Sequence, residues 1–358
     1  MTGSPIALML RPRFPAWAKN TAVVFGLALL PARLPALDLS KAPVLKEMGV
    51  ALHRPAPERA ALTVRFAGVS TLLFDDHNSK WMVDGFFSRP SAHAVLFSPI
   101  APDGDKIDRN LARLGSPRLG AVVPAHSHYD HALDSPEVAR KTGALLVGSE
   151  STLNIGRGYG LDESQLKIVL PGAIFPLKAW TLTFIASRHG PGIDDMRDVS
   201  TIDRPLKPPR RQSAWREGQT WAILVEHKNG VRMLVNASAG YPVDGFKDVR
   251  AEVVFIGVGM LGTTTRAERE ALWYQSVTCV GARKVIPIHW DDFSRSLDLP
   301  LKPMPYLVDR LDVTLAHFSE LAARDNVELA MPPAFTPFDP TLPRAIARRP
   351  DCPSPNAR

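Results

Sequence analysis

Residues 126–131 set four metal-capable side chains, His126, His128, Asp130 and His131, within six positions. On an extended segment, side chains two residues apart share a face, so His126 and His128 can point together at one ion. The apolar run at 121–124 reads as a short buried strand that delivers the chain to this loop. Beyond it, Ser135-Pro136-Glu137 reads as a helix start, with Ser as N-cap, Pro at the first helical position and an acid in the first turn. Asp130 and His131 therefore fall where the chain turns, within reach of a second ion. Zinc takes imidazole and carboxylate ligands in a roughly tetrahedral set. Only Cys279 and Cys352 occur in 358 residues, which gives neither a disulfide framework nor a thiolate site, so any metal must be held by His and carboxylates.

The rest of the chain reads as a frame for that loop. Short runs rich in β-branched and aromatic residues at 62–66, 70–75 and 80–83 suggest a β-meander, and further strands are expected at 145–147, 167–169, 173–177 and 180–186. Asn229-Gly230 between the apolar runs 221–227 and 231–236 is a hairpin signal. Strands at 253–258 and 284–288 alternate with helices at 265–280 and 313–324. Meanders and hairpins followed by alternating strands and helices in each half argue for two mixed sheets covered by helices. Residues 37–60 read as a linker or wrapping arm, 61–331 as the domain and 332–358 as a Pro-rich tail. The stretch 190–219 lacks periodicity and reads as a lid. It and the loops at 86–108 are expected to wall the pocket.

Net charge is +7, but much of the excess lies near the ends, with another local run at Lys207, Arg210 and Arg211, and no aromatic residues interleave a basic stripe. Nucleic-acid binding is therefore not expected. Arg11, Arg13 and Lys19 precede an apolar stretch at 21–30 and then small and Pro-rich residues. That order predicts a signal peptide within 1–36 and a periplasmic or secreted protein, with a cytoplasmic protein carrying an N-terminal extension as the alternative. The stretch is too short for a transmembrane span, which needs about 20 apolar residues.

With a complete His-x-His-x-Asp-His signature after a buried strand, the chain resembles the metallo-β-lactamase superfamily over roughly residues 62–330. The resemblance implies an α+β fold, the four-layer αββα sandwich of that family. The opening Leu62-Thr-Val-Arg-Phe-Ala-Gly-Val-Ser-Thr-Leu-Leu73 and the closing Ile288-His289-Trp290-Asp291 look like the branch of ascorbate-phosphate lactonases and N-acylphosphatidylethanolamine phospholipase D. By the same resemblance, His189 matches the third His of the first metal site and His289 the last His of the second. Asp84 matches an acid that supports a ligand imidazole from behind.

The departure is at the bridging ligand. The family has an Asp in a Gly-Asp-Thr-Gly-type turn, whereas this chain reads Asn236-Ala237-Ser238-Ala239-Gly240, which puts Ser238 at the Asp position. A neutral hydroxyl is a poorer ligand for a divalent cation and neutralises no charge. The second ion is therefore expected to bind more weakly, or to recruit Asp291 or Asp292, which otherwise cap the following turn.

These residues predict a metal-dependent hydrolase that uses zinc, one ion or two, with manganese or iron compatible with the same donors. Asp130 would orient the attacking water and accept its proton, and the substrate would be a phosphodiester, a lactone or a related ester. One carboxylate fewer than usual suggests a small anionic substrate, and Arg188 beside His189 is placed to hold it. The alternatives are a catalytically inactive metal-binding or sensing protein, owing to Ser238, and an iron-dependent redox relative. Neither substrate identity nor oligomeric state is encoded legibly.

Overall fold

A computed structural model describes residues 41–115, 118–190 and 200–341. The signal-peptide reading of 1–36, the tail beyond 341 and the part of the expected lid at 191–199 lie outside the described residues. Among those residues no helix is long and apolar enough to cross a membrane.

Among the described residues, fourteen strands form two sheets. After β1 (Ala51–Leu52), the first half contributes β2 (Thr63–Phe66), β3 (Leu72–Asp75), β4 (Lys80–Val83), β5 (Ala121–Val123), β6 (Leu145–Gly148) and β7 (Leu166–Ile168), hydrogen-bonded in that order. Next come β8 (Ile174–Leu177), β9 (Trp180–Ser187), β10 (Thr220–His227), β11 (Arg232–Asn236), β12 (Val253–Gly257), β13 (Lys284–Ile288) and β14 (Glu328–Met331). They make an eight-stranded sheet in the order β1-β14-β13-β12-β11-β10-β9-β8. Gly230 closes the β10–β11 hairpin at φ 92°, a backbone angle that only glycine adopts without strain.

The helices are α1 (Ala92–Phe97), α2 (Gly104–Leu114), α3 (Tyr129–Ala132), α4 (Ser135–Thr142), α5 (Glu150–Gly158), α6 (Arg266–Trp273) and α7 (Leu311–Asp325). Strand alternation sets the layers. Leu73, Met82 and Val122 face outward, onto Ile107, Leu111 and Leu114 of α2 and Val138 and Ala139 of α4. Phe74, Trp81 and Val123 face inward, toward Phe184, Trp221 and Phe255 of the other sheet. Phe74 stacks on Trp81 at 4.4 Å between ring centroids and meets Phe255 edge-on at 5.8 Å, which ties the sheets together. On the far side α7 packs on β14. The result is helices outside two facing sheets, the αββα sandwich.

Two helix expectations are corrected. Asp134, not Ser135, is the N-cap of α4, because the Ser135 hydroxyl donates instead to the carbonyls of Asp84 (2.6 Å) and His131 (2.9 Å). The helix expected at 265–280 ends its α-helical part at Trp273 and continues as a π turn, Tyr274–Thr278. Residues of 41–60, read as a linker or arm, include β1, which runs parallel to β14. Past Met331 the chain stays fastened to β2, with Val64 N–H donating to Phe338 O (2.8 Å) and Phe338 N–H to Val64 O (2.9 Å).

Candidate metal centre

The ends of β4, β5, β9, β11, β12 and β13 meet at one edge of the sandwich, and the loops leaving them supply the site. The structure brings all six metal-capable side chains together, in two groups: His126, His128 and His189, and Asp130, His131 and His289. Within each group the candidate ligand atoms lie within 4.8 Å of one another. In the first, His126 Nε2 is 2.8 Å from His128 Nδ1, and the His189 ring sits 4.8 Å and 5.0 Å from those of His126 and His128. In the second, Asp130 Oδ2 is 3.3 Å from His289 Nε2 and 3.7 Å from His131 Nε2. The His126 and His131 rings, 4.0 Å apart, join the groups. Convergent imidazole nitrogens with a carboxylate are the donor set a divalent zinc-like ion takes, so the residues fit the metal that the sequence implies.

Local backbone makes this convergence. Asp84 follows β4 at φ 58° and His289 follows β13 at φ 56°, both in the left-handed region that side chains seldom occupy. The His289 turn is held by its N–H on Val69 O (2.5 Å). The loops carrying His189 and Ser238 touch backbone to backbone through Gly190 and Gly240. A Cβ at Gly240 would lie 2.0 Å from Arg188 O, and one at Gly190 would lie 2.3 Å from Ala239 O. Glycine is required at both positions by the close approach.

Groups behind the imidazoles aim them. Asp84 is fully buried; its Oδ2 meets His131 Nδ1 at 2.8 Å and its Oδ1 accepts from Ala125 N–H at 2.8 Å, so His131 presents Nε2 forward. Ser238 Oγ lies 3.0 Å from His126 Nδ1, the nitrogen remote from His128. Ser238, expected at a bridging position, thus has its hydroxyl against an imidazole while also lining the cavity. Asp291 and Asp292 are committed elsewhere. Asp291 makes a wholly buried ion pair with Arg89 (2.7 Å) and accepts from Val69 N–H (2.7 Å), while Asp292 caps a turn through Ser294 N–H (2.9 Å). Arg89, 202 positions from its partner, was not legible in the sequence.

Electrostatics favour metal-ready donors. Burial, reinforced by the neighbouring imidazoles, holds His126 well below the ordinary histidine range and His189 at about 3, so both lone pairs are free at neutral pH. Burial pushes the Asp130 carboxyl up, but His131, His289 and His128 outweigh it and keep it ionised far below the usual carboxylate range. Burial likewise lowers His131, yet Asp84 and Asp130 prevail and raise it.

A cavity of about 410 Å³ opens in front of His128, Asp130, His189 and His289. Its walls differ from those expected. Among the described residues the lining includes Gly190 but nothing else of 190–219 and nothing of 86–108, and Arg188 is not part of it. The wall comes instead from Met260, Thr263, Thr264, Thr265 and Glu268, with Phe293 and Met304. Of the other histidines, His77 Nε2 meets Ala60 O (2.8 Å) and His227 Nε2 meets Asp76 (3.1 Å), both away from the site.

Asp134, just after the motif, pins the loop after β4, its carboxylate accepting from Phe87 N–H (2.7 Å), Ser88 N–H (2.6 Å) and Ser88 Oγ (2.6 Å). Burial pushes it up to about 6, despite those hydrogen bonds. The folded pKa exceeds the unfolded value of about 3.9, so this group's stability contribution is full below about pH 3.9 and lost as pH rises through about 6. Relative to Asp134→Asn, the native chain is expected to gain melting temperature between about pH 7 and about pH 5. A pH-independent difference between the two would contradict the assignment.

No protein-family model matches the chain. In sequence it is 25% identical over 179 residues to a UPF0173 metal-dependent hydrolase of Myxococcus xanthus, a match covering 49% of this chain and 57% of that protein. It is 27% identical over 123 residues to UPF0173 metal-dependent hydrolases of Staphylococcus aureus, covering 30% of this chain and 46% of theirs. The chain thus spans about half the length of the curated relatives it matches. Among solved structures, Igni18, a metallo hydrolase from Ignicoccus hospitalis, superposes with a TM-score of 0.48 at 12% identity, covering 76% of this chain and 96% of that one. Two facing sheets clad in helices, with the full His-x-His-x-Asp-His segment at the end of β5, make this a chain of the metallo-β-lactamase fold.

Proposed function

We propose that the chain is a metal-dependent hydrolase that acts on a carboxylic ester or lactone, with zinc as the metal. The observation that carries this reading is the placement of Asp130. Its carboxylate lies within 3.3 Å of His289 Nε2 and borders the cavity, beside a second cluster of three imidazoles. A divalent ion held by such donors supplies Lewis acidity and lowers the pKa of water it binds to about 7.

The chain's own residues do the rest. Asp130 stays ionised and faces the cavity, so one oxygen accepts a hydrogen bond from the attacking water and then its proton as the carbonyl carbon is attacked; that proton passes to the leaving alkoxide oxygen as its bond to the acyl carbon breaks, which frees the acid and returns Asp130 to its ionised form. Asp84 and Ser238 keep His131 and His126 from rotating, which preserves the direction of their lone pairs. The apolar wall of Met260, Phe293 and Met304 excludes bulk water from the acyl side. Of the two kinds of enzyme in the branch that the opening and closing segments resemble, lactonases and phospholipases D, the first agrees with this substrate class.

The test is metal content per chain together with hydrolysis of a panel of nitrophenyl esters, lactones and phosphodiesters. The expected result is bound zinc, and ester or lactone turnover that chelation abolishes and zinc restores.

A second reading, metal binding without catalysis, is favoured by the missing carboxylate at Ser238. Bound zinc with no turnover of any panel member would select it. The Ser238–His126 contact is checked separately. Ser238→Ala is expected to weaken zinc binding by about 10–100-fold, the usual cost of losing a group that orients a ligand histidine. Ser238→Asp is expected to raise occupancy toward about two ions per chain. Zinc affinity unchanged in Ser238→Ala would remove the orienting role.

A further inference from the structure

The wall facing the two ligand groups begins at the turn before α6 and runs through the first turn of that helix. A helix start normally attracts anions, because its free N–H groups and the helix dipole both present positive charge. Here the N–H groups of the preceding turn and of the cap residue are taken up by the chain itself. Thr263 N–H donates to Met260 O (3.2 Å), Thr264 N–H to Leu261 O (3.1 Å), and Thr265 N–H to Glu268 Oε2 (2.7 Å). Glu268 N–H in turn donates to Thr265 Oγ1 (3.2 Å), which completes a reciprocal capping box. The chain's own carboxylate thus sits on the cap of this helix, beside the cavity.

The remaining charge on the wall has the same sign. Among the described residues the charged side chains lining the cavity are Asp130, Asp291 and Glu268, and none is Lys or Arg. Arg89 neutralises Asp291. Asp130 belongs to the ligand cluster. Glu268 is left as the negative group at the exposed end, beyond a wall of Ala237, Ala239, Met260, Phe293 and Met304, while the nearby Arg269 guanidinium is taken up by the carbonyls of Leu261 and Thr264.

We infer that the cavity selects esters or lactones whose group remote from the scissile bond is cationic or uncharged, and that Glu268 is the specificity-determining residue. The inference rests on the hydrolase reading above and reverses the anionic substrate expected from the charge count at Ser238. The acyl chain would lie along the apolar wall, and its far end would meet the Glu268 carboxylate. An anionic end would meet a like charge where no basic side chain of the described wall can offset it.

The experiment uses the full chain and three matched N-methylamides of butanoic acid, ending in a trimethylammonium, a tert-butyl or a sulfonate group. Binding is read by calorimetry, and hydrolysis of the corresponding nitrophenyl esters is read separately. The expected order of affinity is trimethylammonium, then tert-butyl, then sulfonate, with about a tenfold span between the charged pair that shrinks as salt is raised. Glu268→Gln should collapse the span. Thr263→Lys, which leaves the capping box in place, should also collapse it, so loss of the cap is not the cause. In hydrolysis the same changes should fall on KM rather than kcat. Absent binding of all three, equal affinities, tighter sulfonate binding, or a span untouched by both variants would overturn the inference. The expected binding order without hydrolysis of any ester would support it and overturn the hydrolase reading instead.

Discussion

Asp130→Asn is expected to lower kcat/KM on the best panel ester by about 10²–10⁴-fold, the range associated with a positioned acid–base group. Asparagine has nearly the same shape, so packing around α3 should survive. What changes is charge: the second ligand group loses the carboxylate that faces His131 and His289. Zinc held by that group should fall with activity, while the melting curve of the metal-free chain stays close to the native one. Turnover within about threefold of native would show that Asp130 neither accepts the proton nor holds the ion.

The second large effect concerns stability. Arg89 and Asp291 pair at 2.7 Å with both side chains wholly out of solvent, at the point where the loop after β4 meets the turn after β13. Breaking such a pair from one side leaves a buried charge unmatched and typically costs about 3–5 kcal/mol. Arg89→Met should therefore lower the melting temperature by roughly 10 °C, taking the usual entropy of unfolding for a domain of this size. It should also loosen Val69, whose N–H donates to Asp291 and whose carbonyl holds His289. Zinc affinity at the second group is expected to drop with it. Arg89→Met combined with Asp291→Asn should recover most of the lost stability, since asparagine can still accept from Val69 N–H without the charge. A double variant no more stable than Arg89→Met would show that packing, not the stranded charge, carries the cost.

How much of this was legible depends on how local each signal is. His126, His128, Asp130 and His131 sit on one loop, and a strand running into closely spaced histidines is visible without a structure. His189, His289 and Asp84 lie far away in sequence and were placed only through resemblance to a family; the structure gathers them at the same strand ends. The hairpin at Asn229-Gly230 was readable because its turn geometry is encoded by two residues.

Other elements had weaker local codes. Helix α2 carries Ile107, Leu111 and Leu114 at helical spacing and a Gly115 cap, a pattern present in the sequence yet passed over among the Pro-rich loops. Helix α5 contains Gly156 and Gly158, which argue against a helix by propensity. They are there because the fold presses on them. A Cβ at Gly156 would lie 2.8 Å from Leu146, and one at Gly158 would lie 2.0 Å from Leu206 O. The Arg89–Asp291 pair and the Ser238–His126 contact join residues 202 and 112 positions apart. No pattern within a window could reveal them. The cavity wall was misplaced for a similar reason: residues 260–268 reach the site because β12 ends beside β13, a fact of sheet order rather than of composition.

Anomalous scattering from a crystal of the zinc-loaded chain, recorded on either side of the zinc absorption edge, tests the account most directly. A zinc peak is expected bonded to His126, His128 and His189, with any second peak beside Asp130, His131 and His289. Peaks only at surface residues, or a zinc-loaded crystal in which those imidazoles coordinate nothing, would contradict it.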